Sequence, residues 1–166
     1  MNEAHLHLLV NHFPIIGTVF GLGILIGGIV FKNNAVKNTA FIVLIVATLF
    51  GAASMATGEG AEELVEDMPT VGKSIIHEHE ELAEKFIVVL YVTGAFALLS
   101  LLANIKKHSK ANLLAWLTLL LSIVAVVLVK EVGTSGGEIR HTEIRADAST
   151  QTNAGGENQS EHGEED

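Results

Sequence analysis

Four apolar stretches, each close to the length of a bilayer crossing, constrain this chain more than any other feature. They cover about 8–31, 39–57, 84–105 and 112–132. A hydrocarbon core of about 30 Å takes on the order of 20 helical residues, and soluble helices rarely go so far with so little charge. The composition agrees. The 166 residues are 49% hydrophobic yet carry a formal charge of −9, a conflict for a soluble domain that disappears once the acids lie outside the spans. The expected fold is all-α, an integral membrane four-helix bundle over residues 1–145. An acidic tail over 146–166 is too polar to bury a core and reads as disordered. The lipid bilayer is the expected partner, and nucleic acid is not.

Charge sets the orientation. Two short connections, Lys32–Lys37 and Lys106–Lys110, carry lysines and no acid, which the positive-inside rule assigns to the cytoplasm. The N-terminus, the long middle connection and the C-terminal tail then lie outside. Their acids agree: Glu59, Glu62, Glu63, Glu66, Asp67, Glu78, Glu80, Glu81 and Glu84 belong to the middle connection or its flanks. The N-terminus lacks the basic region of a secretory signal, so the first run is expected to remain a span. The second run is expected to break at Gly58 and Gly60 and resume briefly to about Asp67, with Pro69 and Gly72 marking a turn. The third begins near Ser74, ahead of the membrane. Trp116 takes an interfacial position near the start of the fourth.

The chemistry gathers at one rim. His5, His7, His12, His77, His79 and His141 all fall on the outer side, with Glu59, Glu63, Glu138 and Glu143, and only His108 joins the lysines. The span interiors contain no Asp, Glu, Lys, Arg or His, where a transporter or proton channel usually places ionisable groups. That argues against translocation and for chemistry at the rim. Taken singly, each of these residues reads as a solvated interfacial side chain. Taken together, three separate segments each supply histidine. On a helical third segment His79 aligns with Thr93 and Ala97, and His77 with Ala95, so periodicity does not choose between them. In the first span Gly17/Gly21 and Gly23/Gly27 have the small-xxx-small spacing of close helix packing. Gly23, on one stripe with His12, also suggests room for a flat macrocycle.

No cysteine is present, which excludes thiolate ligands and covalent haem attachment. Gly133–Gly137 lacks the lysine of a phosphate-binding loop, and no nucleophile stands beside a base. Nothing argues specifically for an enzyme.

Three elements together, His7-Leu-Leu-Val-Asn-His12-Phe-Pro14, a histidine at the head of the third helix, and Gly136-Gly-Glu-Ile-Arg-His141, resemble bacterial membrane proteins catalogued as domain of unknown function 2231. Leu8 and Thr142 stand where that family usually has proline and glycine. The resemblance implies His7, His12, His79 and His141 as recurring histidines, a bacterial cytoplasmic membrane, and redox company such as a cytochrome c or Rieske protein. Two readings follow. One is b-type haem for electron transfer, with His12 and His79 as axial ligands, His141 as substitute, and Arg140, Arg145 or Lys130 for the propionates. The other is a non-haem Zn, Cu or Fe ion held by His7, His12, His77, His79, His141, Glu59, Glu63, Glu138 and Glu143. A third, without a ligand, is a subunit that docks a periplasmic partner.

Overall fold

The first apolar run is helical in two segments, and the cause of the division is Pro14. Helix α1 spans Glu3–Val10, its N-terminus capped where Asn2 Oδ1 accepts the His5 amide at 3.0 Å. Helix α2 follows over His12–Val30. Pro14 has no N–H to return to the Val10 carbonyl and its ring crowds that carbonyl, so the ladder is interrupted between the two helices. In this computed structural model, which describes residues 2–66, 68 and 71–145, three long helices follow. They are α3 (Asn34–Glu63), α4 (Lys73–Ile105) and α5 (Ala111–Arg140), with a short 3₁₀ turn at Thr142–Ile144. With α1 and α2 taken as one span, four helices are long and apolar enough to cross a membrane. The expected tail, 146–166, and Asp67 and Pro69 lie outside the described residues.

Helices α2 to α5 run up and down. Each packs on its neighbour in sequence, α2 closes the bundle against α5, and α1 lies on α3. The two hairpin turns at the lysine-bearing end are alike. Phe31 and Lys106 end α2 and α4, and Lys32 and Lys107 follow with φ of 50° and 51°. The Asn33 amide returns to Gly28 O at 2.9 Å and that of His108 to Ala103 O at 2.8 Å. This is the Schellman arrangement, with lysine where glycine is usual.

Two apolar clusters fill the bundle. Leu25, Ala40, Phe41, Leu44, Ala97, Ala115 and Leu119 pack near the basic end. Phe86, Ile87, Leu90, Ala125, Val129 and Val132 pack toward the acidic end. Hydroxyls are buried among them, and most return to a carbonyl one turn back, as Thr18 does to Pro14 at 2.6 Å and Ser122 to Thr118 at 2.8 Å. Ser100 and Thr118 join α4 to α5 at 2.8 Å. The outer surface is apolar to match lipid: Phe20, Val30 and Val127 are each more than 60% exposed, and a soluble monomer rarely shows so much.

Three expectations need adjustment. Helix α3 runs unbroken through Gly58 and Gly60 to Glu63, because α1 covers that stretch: His7 lies against Gly58 and the Glu3 carboxylate over Gly60. Helix α5 continues through Gly133–Gly137 to Arg140, with Val132 and Ser135 buried. The first-span glycines divide by face. A Cβ on Gly17 would lie 2.8 Å from Ala47 Cβ and one on Gly21 2.6 Å from Leu44 Cδ2, whereas Gly23 and Gly27 meet nothing within 4 Å.

Candidate functional site

Helix length carries the acidic ends to the edge of the apolar spans and past it. Counted from the basic-end termini at about 1.5 Å per residue, His7, Thr57, His79 and Ser135 all lie roughly 35–39 Å along their helices. With the first polar turn of each helix outside the hydrocarbon, a core of about 30 Å ends close to that level. The helix ends beyond it form a headpiece, and two imidazoles turn into it.

His7 comes from α1. Its Nδ1 lies 3.0 Å from the Ser54 carbonyl oxygen and 3.2 Å from Thr57 Oγ1 on α3. A carbonyl only accepts, so Nδ1 bears the proton and Nε2 the lone pair. His79 comes from α4. Its Nδ1 lies 3.0 Å from Ser135 Oγ on α5, and that hydroxyl donates its own hydrogen to Val132 O at 3.2 Å. With the hydroxyl hydrogen assigned to Val132 O, His79 Nδ1 is the donor to Ser135 Oγ and Nε2 carries the lone pair. Both rings are half-buried, and His7 acts electrostatically on His79. Gly136 forms the wall behind His79: a Cβ there would lie 3.0 Å from Cε1. One helical turn after His7 stands Asn11, whose amide donates to His7 O at 2.9 Å. Its Oδ1 is buried with no hydrogen-bond partner, which leaves a third lone pair unsatisfied near His7.

The remaining histidines face elsewhere. His12 is exposed, with Nδ1 on the Leu8 carbonyl at 3.2 Å. It heads an apolar groove of about 330 Å³ between α2 and α3, lined by Phe13, Ile16, Val46 and Phe50 among others. His77 is exposed and lies 3.4 Å from Glu81 on its own helix. His141 pairs with Glu143 at 2.9 Å. A hydrogen bond to its own backbone amide, and then the one from His141, hold the Glu143 carboxyl below the usual carboxylate range. Glu59 and Glu63 are exposed and Glu138 is half-buried. Among the described residues no group of three or more His, Cys, Asp or Glu is placed to hold a metal ion. Of the basic side chains suited to propionates, Arg145 donates to the Glu138 and Ile139 carbonyls at 2.8 and 3.2 Å. Arg140 reaches Met68 Sδ at 2.9 Å, and Lys130 lies 3.6 Å from Glu131.

Ser54, Thr57, Ser135 and Asn11 are the residues sequence reasoning missed. Periodicity held the signal for Ser135. The buried stripe of α5, Ala115, Thr118, Ser122, Ala125, Val129 and Val132, steps by three or four directly onto it.

No curated protein and no solved structure matches the chain. A family model described as a predicted membrane protein matches residues 3–143, which include His7, His79, Gly136 and His141. The chain belongs to that family of membrane proteins, DUF2231.

Proposed function

We propose that the headpiece binds b-type haem between His7 and His79 and serves as an electron-transfer accessory of a bacterial cytoplasmic membrane. Both termini would face outside and the lysine turns inside. The observation that carries the reading is the pair of half-buried imidazoles, each held at Nδ1 from a neighbouring helix so that Nε2 keeps its lone pair. Holding one ring nitrogen fixes the tautomer and orients the other toward a metal. Haem suits a two-imidazole site because the macrocycle supplies four donors and the protein needs to give only one or two. A structural zinc site asks four donors of the protein. His7 takes the place sequence reasoning gave to His12. A redox partner such as a cytochrome c or Rieske protein would meet the exposed rim.

A second reading rests on Asn11. With its orphan Oδ1 as a third donor, His7 and His79 offer only lone pairs, which suits a non-haem Zn, Cu or Fe ion. A reduced-minus-oxidised visible spectrum of the protein in mild detergent, with elemental analysis, separates the two. The expected result is a Soret band lost in His7→Ala and His79→Ala and retained in His12→Ala and His77→Ala. Stoichiometric metal without colour, reduced in Asn11→Ala, favours the second reading. Neither colour nor metal leaves a subunit that docks a periplasmic partner.

A further inference from the structure

His12 and the groove that it heads take no part in the headpiece site. The ring is exposed on α2, and the groove runs from it toward the basic end between α2 and α3. A close helix approach makes the floor, where a Cβ on Gly17 would lie 2.8 Å from Ala47 Cβ. Ile16 on one side and Ile42 and Val46 on the other form the walls, each 43–50% exposed. At the His12 end Phe13 and Phe50 stack, with ring centroids 4.4 Å apart and planes 19° from parallel. The volume of about 330 Å³ falls within the roughly 300–1,000 Å³ of small-molecule sites. Apart from His12, every lining side chain is apolar.

Depth sets this imidazole apart. His12 is five residues nearer the basic end than His7, roughly 8 Å along the helix. It therefore stands at the head of the apolar span, below the headpiece. Water is scarce there, and a polar side chain needs a partner. Nδ1 has one, the Leu8 carbonyl oxygen at 3.2 Å. A carbonyl only accepts, which assigns the proton to Nδ1 and leaves Nε2 a lone pair. Among the described residues nothing donates to that nitrogen.

An occupant that completes this geometry has three parts. It brings a hydroxyl to donate to Nε2, a flat ring to lie against the Phe13–Phe50 pair, and an apolar tail for the trough beyond. A phospholipid acyl chain fills the trough, but the phosphate above it offers acceptors, which an acceptor nitrogen cannot use. We propose that the groove binds a lipid-soluble isoprenoid quinol, with a ring hydroxyl on His12 Nε2 and the tail between α2 and α3. The reduced form is the ligand, because its hydroxyls donate, whereas the oxidised quinone presents only carbonyl acceptors. The site is separate from that of His7 and His79 and stands whether or not that pair holds haem.

The test uses the full chain in phosphatidylcholine nanodiscs under anaerobic conditions. Decylubiquinol and decylubiquinone are the probes, and native mass spectrometry reads binding. One quinol per chain is expected, with the quinone weaker by about fivefold or more for want of the hydrogen bond. His12→Leu is expected to remove that preference and leave the two forms equal. Val46→Trp fills the groove and should abolish binding of both. Ile123→Trp puts the same bulk on an exposed site of α5 and should change nothing. Thermal unfolding shows that each variant is folded, and should His12→Leu fail, His12→Phe carries the same expectation. None of these readouts uses the Soret band, so failure here is distinct from absence of haem. Equal affinity for quinol and quinone in the parent overturns the proposal, as does a preference that survives in His12→Leu or binding that survives Val46→Trp. Phospholipid that neither probe displaces, or a dimer that excludes both, overturns it by naming another occupant.

Discussion

At the scale of single residues, Gly136 and Gly133 show how the headpiece constrains a helix that composition alone reads as a loop. Both are glycines inside α5, and in an exposed helix interior alanine is better than glycine by roughly 0.5–1 kcal/mol. Nothing lies within 4 Å of a Cβ built on Gly133, whereas one on Gly136 would meet the His79 ring at 3.0 Å. That ring is tied to Ser135 and has little freedom to yield. Gly133→Ala is therefore expected to stabilise the protein by about 0.5–1 kcal/mol. Gly136→Ala is expected to cost about 1 kcal/mol net, overpacking outweighing the backbone gain. Denaturant unfolding of the two variants in one detergent checks the sign of each. If both raise stability, the His79 ring is looser than its hydrogen bonds imply, and the two-imidazole site loses its rigidity.

At the scale of elements, the hairpin turns trade conformation against charge. Lys32 and Lys107 both adopt the left-handed backbone that glycine tolerates best, a cost of about 1 kcal/mol or more for a residue with a Cβ. Asparagine stands beside the first turn and histidine after the second, yet the left-handed position holds lysine in both. The side chain's charge, rather than its conformational preference, suits that position. Lys107→Gly is accordingly expected to raise unfolding stability by about 1 kcal/mol while leaving the turn's hydrogen bonds intact. Thermal unfolding reads the gain, and an unchanged or lowered midpoint would mean that Lys107 makes contacts beyond its own turn. The elements themselves were largely legible in the sequence. Runs of uncharged residues gave away the four spans, and asparagines and lysines the turns between them. The helix ends were not. Hydropathy falls off near 132 in α5, whereas the helix continues to Arg140 and its buried face to Ser135. Only the three-or-four-residue step of Val129, Val132 and Ser135 records it. The same step on α4 settles the choice between His79 and His77, for Thr93 and Ala97 are buried and Ala95 is exposed. The first span keeps one register through Pro14, since its buried residues Val10, Pro14, Thr18, Gly21, Leu25 and Gly28 step by three or four. His12 shares the exposed stripe of Gly23, and hydropathy alone does not tell that stripe from the buried one.

At the scale of the whole molecule, the acids share one end of the bundle and the two lysine-bearing hairpins the other, and that arrangement predicts which side of the membrane the site serves. Glu59 to Glu66, Glu78 to Glu84 and Glu131 to Glu143 share the end that holds His7 and His79. Lys32, Lys37, Lys106, Lys107 and Lys110 share the other. Positive charge near short loops resists translocation, while acids contribute little to the choice. The acidic end also carries Lys73, Lys85, Lys130, Arg140 and Arg145, spread over its helical extensions. The lysines concentrated in two short hairpins weigh more in the rule, and the headpiece is expected to face outside. Because the chain has no cysteine of its own, single replacements report position cleanly. In intact cells a membrane-impermeant maleimide is expected to label Glu63→Cys, and to label Lys107→Cys only after permeabilisation. The opposite pattern would turn the headpiece toward the cytoplasm. The two imidazoles would then meet soluble cytoplasmic partners, and an accessory role toward an extracytoplasmic cytochrome or Rieske protein would fail even if the metal centre itself were found.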